Sequence, residues 1–398
     1  MTPRILIIAG SDSGGGAGIQ ADIKTVTMLG GHAMTAITAI TAQNTLGVQA
    51  VLPVPAGMVV AQINSVVTDI GVDAVKIGMI GSAETANAVA DLLTGLKVPI
   101  VFDPVMVATS GDVLADAETV AAFERLMALA AVVTPNLPEL EALAQTPTVR
   151  AELVEARGQT TRPSTGSGRT EDVLARLLDC AILAKGGHGD GAVLTDRLIE
   201  IGGGETRWDS ERIDTVSTHG TGCTLASAIA TNLAYGQPLK VAVANARQFV
   251  RLALRDAPGL GNGHGPMGHQ AVRLDLGPCA RLNQITLPTD DYTKSCAFYA
   301  RLGLKQIVET EDAHYARFET AGGATLSVES GARPTVYFEC QDLDAEVARL
   351  QNEGVTFDQL PTDQSWLWRE ARLTDPSGNP VCLYQAGENR RYPPWRLD

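Results

Sequence analysis

The stretch Thr218-His219-Gly220-Thr221-Gly222-Cys223-Thr224 places a thiol inside a glycine-rich turn. Leu225, Ile229 and Leu233 follow at four-residue spacing, with Gly236 beyond them, which is the pattern of a helix and its end. A turn of this kind at a helix N-terminus offers unpaired N–H groups and the positive end of the helix dipole. Both suit a transferring phosphoryl group or a developing oxyanion. Cys223 in that turn is expected to have a lowered pKa and to serve as a base toward a hydroxyl; the competing reading is a cysteine buried as packing. A second glycine-rich stretch, Gly10-Ser11-Asp12-Ser13-Gly14-Gly15-Gly16-Ala17-Gly18, is neither GxxxxGK[ST] nor GxGxxG. By itself it means either a tight strand-to-helix turn or backbone that approaches a ligand closely.

The elements that must position these residues alternate short β-branched runs with amphipathic segments, the pattern of a parallel sheet covered on both faces. Strands are predicted at 5–9, 74–78, 100–103, 131–134 and 181–185. Ligands collect beyond the carboxyl ends of such strands. There the sequence carries the first glycine cluster, Gly78-Met79, Asp103-Pro104, Thr134-Pro135-Asn136 and Lys185-Gly186-Gly187-His188. Asp116 is expected to cap a helix that buries Val120, Phe123, Leu126 and Met127, and Ser82 one that buries Val89, Leu92 and Leu93.

At 398 residues the chain exceeds one ordinary domain. Its composition changes near residue 280: the first part holds 33 of the 40 glycines and five aromatics, the remainder seven glycines and 13 aromatics. Two different cores follow from that. The net charge of −14 divides into −8 and −6, so neither part is a basic module, and nucleic acid and anionic membrane are disfavoured as partners. Six scattered cysteines without a CxxC pair read as reduced thiols. The apolar run 5–9 is too short for a signal peptide, and no run has membrane-spanning length, so a cytoplasmic location is expected. Residues 149–170, rich in Ser, Thr, Gly, Pro and Arg without an apolar period, read as a mobile surface insertion. The expected organisation is a domain at 1–268, a linker at 269–280 and a second domain at 281–398. Within the last, 283–288, the helix 292–302 and Gly303-Leu304-Lys305 match 336–340, the helix 343–352 and Gly354-Val355-Thr356, which predicts a paired βαβββ repeat of α+β class.

The motifs AGSDSGGGAGIQADIKT, TAQNT, KIGM, DPVM, TPNLPE, KGGH and THGTGCTLASAIA, in that order over residues 1 to about 268, resemble the hydroxymethylpyrimidine and phosphomethylpyrimidine kinases of thiamine biosynthesis. Those enzymes belong to the ribokinase-like superfamily, whose sugar kinases have aspartate at the position of Cys223. The resemblance implies a ribokinase-like αβα sandwich with a mostly parallel sheet. It also implies successive transfer of the ATP γ-phosphate, first to the hydroxymethyl oxygen of 4-amino-5-hydroxymethyl-2-methylpyrimidine and then to the monophosphate. Cys223 becomes the general base, with Gly220, Thr221 and Gly222 as the anion hole. Gln43, whose amide can match an aminopyrimidine edge, joins Asp22, Gly10 and Met79 at the pyrimidine. Asp103 and Glu139 would organise Mg²⁺, and Lys185 and Asn136 would meet the nucleotide phosphates. Plainer readings exist for five of these: packing for Gln43, a solvated helix carboxylate for Asp22, a turn for Asn136, a first-turn carboxylate for Glu139 and a strand-end lysine for Lys185. His219 receives no role. A vitamin B6 kinase stays open, because pyridoxal also offers a hydroxymethyl group. A homodimer is expected from the resemblance alone. The 149–170 insertion departs from the family, replacing part of a helix and leaving only 172–179 of it.

Residues 281 to about 388 resemble the glyoxalase, bleomycin-resistance and dioxygenase superfamily, through the paired repeat, FYARLGL and DPSGNPVCLYQ. Its metal-ligand positions fall on Gln284, Ser327, Thr335 and Cys382, a poor set for a hard divalent ion; Glu329 is expected on the opposite strand face. The expectation is a metal-free binding or dimerisation module in which Trp366, Trp368, Tyr337 and Tyr384 line an apolar cavity or form plain core. The alternative is a second, metal-dependent activity.

Overall fold

The structure is a computed structural model that describes residues 2–107, 111, 114–145, 180–188, 191–274, 280–310, 312, 314–320 and 322–397. The 149–170 insertion and the shortened helix at 172–179 lie outside the described residues. The chain divides into two compact units, Met1–His269 and Gln270–Asp398. The stretch expected as a linker begins with a short 3-10 helix, His269–Leu274. No helix among the described residues is long and apolar enough to cross a membrane.

In the first unit, β1 (Arg4–Asp12), β2 (His32–Asn44), β3 (Gly47–Pro53), β4 (Ala74–Ile77), β5 (Ile100–Phe102), β6 (Val132–Val133), β7 (Ala181–Ala184), β8 (Val193–Ile199) and β9 (Glu205–Glu211) form one sheet in the order β3-β2-β1-β4-β5-β6-β7-β8-β9. The strands from β2 to β7 are parallel. Antiparallel pairings add β3 at one edge and β8 and β9 at the other. Five strands stand where the apolar runs predict them. Of the additional ones, β2, β8 and β9 interleave Thr, Gln, Asp, Glu or Arg with their apolar residues, whereas the short apolar run of β3, with Val51 and Leu52, is exposed at the sheet edge. In β1, Ile5 to Ile8 are all buried, so both faces of the sheet are covered. Leu6 and Ile8 pack with Val59, Ile63, Val89 and Phe123, which come from α2 (Ala56–Asp69), α3 (Ala83–Leu93) and α4 (Ala117–Met127).

Capping residues set where the helices begin. Ser82 accepts from the Thr85 amide at 3.1 Å and Asp116 from that of Thr119 at 2.8 Å. Asn136 and Glu139 form a reciprocal capping box on α5 (Leu137–Leu143), a device that stabilises a helix start by about 1 kcal/mol. The unit also contains α1 (Gly18–Met28), α6 (Thr221–Ala234) and α7 (Leu239–Arg255).

The second unit repeats one motif. β10 (Arg281–Thr289), α8 (Tyr292–Arg301), β11 (Lys305–Thr310), β12 (Tyr315–Glu319) and β13 (Thr325–Ser330) are followed by β14 (Thr335–Glu339), α9 (Leu343–Asn352), β15 (Gln359–Asp363), β16 (Arg369–Thr374) and β17 (Pro380–Gln385). The strand order β11-β12-β13-β10-β14-β17-β16-β15 is symmetric about the antiparallel β10–β14 pair. Even the caps repeat: Asp291 and Asp342 each accept from the third amide onward at 3.0 Å, and Gly303 and Gly354 end the two helices at φ +86° and +88°.

Candidate active site

A cleft of about 990 Å³ opens at the carboxyl ends of the parallel strands in the first unit. It is lined by Gly10, Gln43, Met79, Asp103, Asn136, Glu139, Lys185, Gly220, Thr221, Gly222 and Cys223, so eleven of the twelve residues singled out from the sequence meet in one space. The exception is Asp22. Expected near the substrate, or else as a solvated carboxylate, it is fully buried behind the wall. There it takes Lys76 Nζ at 2.8 Å and the Ser227 hydroxyl at 2.7 Å.

The glycines explain how two distant segments can touch. Gly220, at φ +83°, begins α6, and a Cβ there would strike the Gly16 carbonyl oxygen. A Cβ on Gly18, at φ +54°, would strike the carbonyl oxygen of Gly10 within the first loop. A side chain at Gly220 would force the first glycine loop away from the N-terminus of α6. A Cβ on Gly222 would lie 3.2 Å from Asp103 Oδ2 and 3.3 Å from Lys185 Nζ, so the first turn of α6 stands directly over a charged pair.

That pair is asymmetric. Asp103 Oδ1 accepts from Thr134 Oγ1 at 2.9 Å and from Lys185 Nζ at 2.8 Å, whereas Oδ2 has no hydrogen-bond donor among the described residues. Glu139 lies 3.9 Å from the same lysine and accepts from the Asn136 amide at 2.8 Å. Burial pushes Glu139 up to about 7; Lys185 opposes this and the Asp103 charge adds to it. Burial works against a charged Lys185, but Asp103 and Glu139 outweigh it and raise its pKa. The site is therefore rich in negative charge where one carboxylate oxygen remains free. A hard cation that keeps most of its waters fits such a place, needing only one or two protein carboxylates beside the phosphates of a nucleotide.

Cys223 corrects the sequence reading. The helix N-terminus predicts a lowered pKa, yet the thiol is pushed up to about 11. Burial is the largest cause; Lys76 opposes it, and the carboxylates of Asp22 and Asp103 reinforce it. The residue is only partly covered at the cleft wall, but its sulfur is a neutral thiol at rest.

At the other end of the cleft the structure gives His219 a place that the sequence does not. Its Nε2 lies 2.9 Å from Asp12 Oδ2 and 3.3 Å from the Gln43 amide. Asp12 also accepts from the backbone amides of Gly14, Gly16 and Ala17 at 2.8–3.0 Å. Burial raises the Asp12 pKa, but His219 and these amides hold it below the usual carboxylate range. With the Nε2–H of His219 given to Asp12, a Gln43 NH2 facing it would set donor against donor. The rotated amide, with its NH2 donating to Thr41 Oγ1 at 3.1 Å, removes that clash. Lys76 is the other residue that sequence reasoning missed. Its signal is a lysine in the strand Ala-Val-Lys-Ile, buried on both faces, where a charge requires a partner.

In the second unit, a cavity of about 670 Å³ is lined by Gln284, Glu329, Thr335, Tyr337, Trp366 and Trp368 among others. Glu329 therefore does not sit on the opposite face: residues 327 and 329 are two apart in β13 and point the same way. Of the two readings open for Tyr384, cavity wall or plain core, the second holds: it is buried in a core cluster with Cys382, Tyr337 and Trp368. The Ser327 hydroxyl lies 2.8 Å from that of Tyr315, and Gln284 accepts from Thr325 at 2.9 Å. Among the described residues no group of three or more His, Cys, Asp or Glu side chains could hold a metal.

Residues 12–268 match the phosphomethylpyrimidine kinase family, and residues 281–383 the glyoxalase/bleomycin resistance protein/dioxygenase superfamily. The hydroxymethylpyrimidine/phosphomethylpyrimidine kinase of Rhizobium meliloti is 46% identical over 274 residues, 68% of this chain and 97% of that protein. The thiamine biosynthesis bifunctional protein of Geobacter sulfurreducens is also 46% identical, with 53% of its length covered. Among solved structures, the pyridoxal kinase of Bacillus subtilis in complex with ADP superposes with a TM-score of 0.59 at 31% identity, over 69% of this chain and all of that one. The phosphomethylpyrimidine kinase of Clostridium difficile gives 0.50 at 35% identity, over 63% of this chain and 98% of that one. With residues 12–268 matching that family and a relative 46% identical along 97% of its length, the chain belongs to the phosphomethylpyrimidine kinase family.

Proposed function

We propose that the first unit transfers the ATP γ-phosphate to the hydroxymethyl oxygen of 4-amino-5-hydroxymethyl-2-methylpyrimidine, and a second one to the resulting monophosphate. The observation that carries this is the free Oδ2 of Asp103 beside Gly222 at the start of α6, in the same cleft as the Gln43 amide. Asp103 and Glu139 would hold Mg²⁺, which would supply neutralisation of the phosphate charge. Gln43 and Met79 orient the ring, the amides of Gly220-Thr221-Gly222 meet the charge that develops on the transferred group, and Lys185 meets the phosphates. The new O–P bond forms as the bond to the ADP oxygen breaks, and Cys223 in its thiolate form takes the hydroxyl proton. With a thiol at about 11, roughly one part in 10⁴ is thiolate at pH 7. Turnover limited by this base rises tenfold per pH unit between 7 and 10.

ATP consumption with the aminopyrimidine alcohol, its monophosphate and pyridoxal tests the proposal. Both pyrimidines should be phosphorylated, and the reading fails if neither is. Pyridoxal is the second candidate, because the Bacillus subtilis enzyme that superposes on this unit is a pyridoxal kinase. For the second unit we infer a module that binds an organic ligand without a metal.

A further inference from the structure

The second unit buries three arginines almost completely: Arg317, Arg390 and Arg391. Two of them have carboxylates. Arg390 lies 3.4 Å from Glu339, and Arg391 pairs with Glu319. Arg317 has none among the described residues. Its Nε donates to Tyr315 Oη at 3.0 Å and its Nη1 to the Arg390 carbonyl at 2.7 Å, both neutral groups. Its guanidinium stacks 4.6 Å above the Trp368 ring, a contact that offsets only part of the cost of burying a cation. The side chain is 3% exposed, and what remains open lines the 670 Å³ cavity.

The rest of that cavity is aromatic. Trp366, Trp368, Trp395, Tyr315 and Tyr337 line it, along the inner face of the sheet. Its other buried charge, Glu370, is already neutralised by Arg372 at 2.6 Å and accepts from the Trp366 indole at 2.8 Å. Glu329, half-buried, and Arg333, exposed, complete the charges of the lining. A cation without a counter-ion, fixed against a tryptophan face in a pocket of rings, is what an aromatic anion requires: carboxylate or phosphate on Arg317 and ring among the tryptophans.

We propose that this cavity binds a planar aromatic ligand bearing a carboxylate or phosphate group, with Arg317 as its anion anchor. The proposal rests on the reading of the second unit as a metal-free binding module and names the ligand class. A phosphorylated aminopyrimidine, the chain's own proposed product, and an aromatic carboxylate share this chemistry.

The full chain is titrated with benzoate, phenyl phosphate and neutral benzyl alcohol, following tryptophan fluorescence and heat. Three of the four tryptophans lie in this cavity, so a signal reports on it. Both anions should bind and quench, and benzyl alcohol should bind roughly tenfold or more weakly. Arg317→Met should weaken the anions by a similar factor, with partial recovery in Arg317→Lys. Because Arg317 also holds the Arg390 carbonyl, the second variant is Glu329→Gln, whose side chain has no hydrogen bond or ion pair among the described residues, and it should tighten anion binding. Equal affinity for benzyl alcohol, or weaker anion binding in Glu329→Gln, overturns the proposal. Repeating the titration with EDTA and with Zn²⁺ separates the two claims. Unchanged affinity supports both, whereas affinity that appears only with metal overturns the metal-free reading and leaves the test of Arg317 standing. Relative affinity for the aminopyrimidine monophosphate and benzoate identifies which source the cavity prefers.

Discussion

Glycines in the two units do different work. Gly220 is held by two constraints at once, a left-handed φ of +83° and a carbonyl oxygen of Gly16 where its Cβ would be. Gly303 and Gly354 have almost the same φ, but a Cβ at either meets nothing within 4 Å. Gly220 lets two segments cross at the site. Gly303 and Gly354 only end helices. The difference teaches that a positive φ alone marks a turn, whereas a positive φ combined with a crowded Cβ marks a place where backbone itself builds the site.

Substitution separates the two kinds. Gly220→Ala should abolish turnover and cost about 3–5 kcal/mol in urea denaturation, from strain plus overpacking. Gly354→Ala should cost about 1–2 kcal/mol and leave turnover unchanged; a kinase defect there would dissolve the contrast. Cys223→Ala should lower kcat by roughly 10²–10⁴-fold with little change in pyrimidine affinity. In the unmodified chain kcat should climb with pH up to the thiol value of about 11. A flat profile above pH 7 would mean that transfer proceeds by positioning alone. Gln43→Leu should raise KM for the pyrimidine roughly tenfold while affecting kcat less, as steady-state kinetics will read.

Acid should divide the units as well. His269, buried against Thr224 Oγ1 at 2.9 Å, has its pKa lowered from 6.5 to about 4 by burial. Between those values the unfolded chain binds a proton that the folded one refuses. Its contribution is complete above pH 6.5 and is lost as pH falls toward 4, on the order of 3 kcal/mol in all. The only histidine of the second unit, His314, is exposed. Urea denaturation at pH 7 and 4.5 should show the first unit weakened more, and His269→Gln should narrow the gap.

Much of this was legible in the sequence because the relevant signals are local. Apolar runs mark the central strands, Asp116 and Ser82 mark helix starts, and the repeat of the second unit survives in its spacing. The outer strands β2, β8 and β9 left no unbroken apolar run, and the short one of β3 lies on an exposed edge. Long-range electrostatics were invisible too: that Asp22 is spent on Lys76, that Cys223 is raised rather than lowered, and that Arg317 in Tyr-Ala-Arg-Phe-Glu faces a cavity rather than water. Each depends on what the fold brings from a distant strand.

The central claim is that the first unit is built for the aminopyrimidine alcohol. The most direct test is kcat/KM for that alcohol and for pyridoxal, measured with ATP and Mg²⁺ on the same full-length preparation. The pyrimidine should be clearly preferred, and less so in Gln43→Leu. A preference for pyridoxal, or no phosphorylation of the pyrimidine, would contradict it.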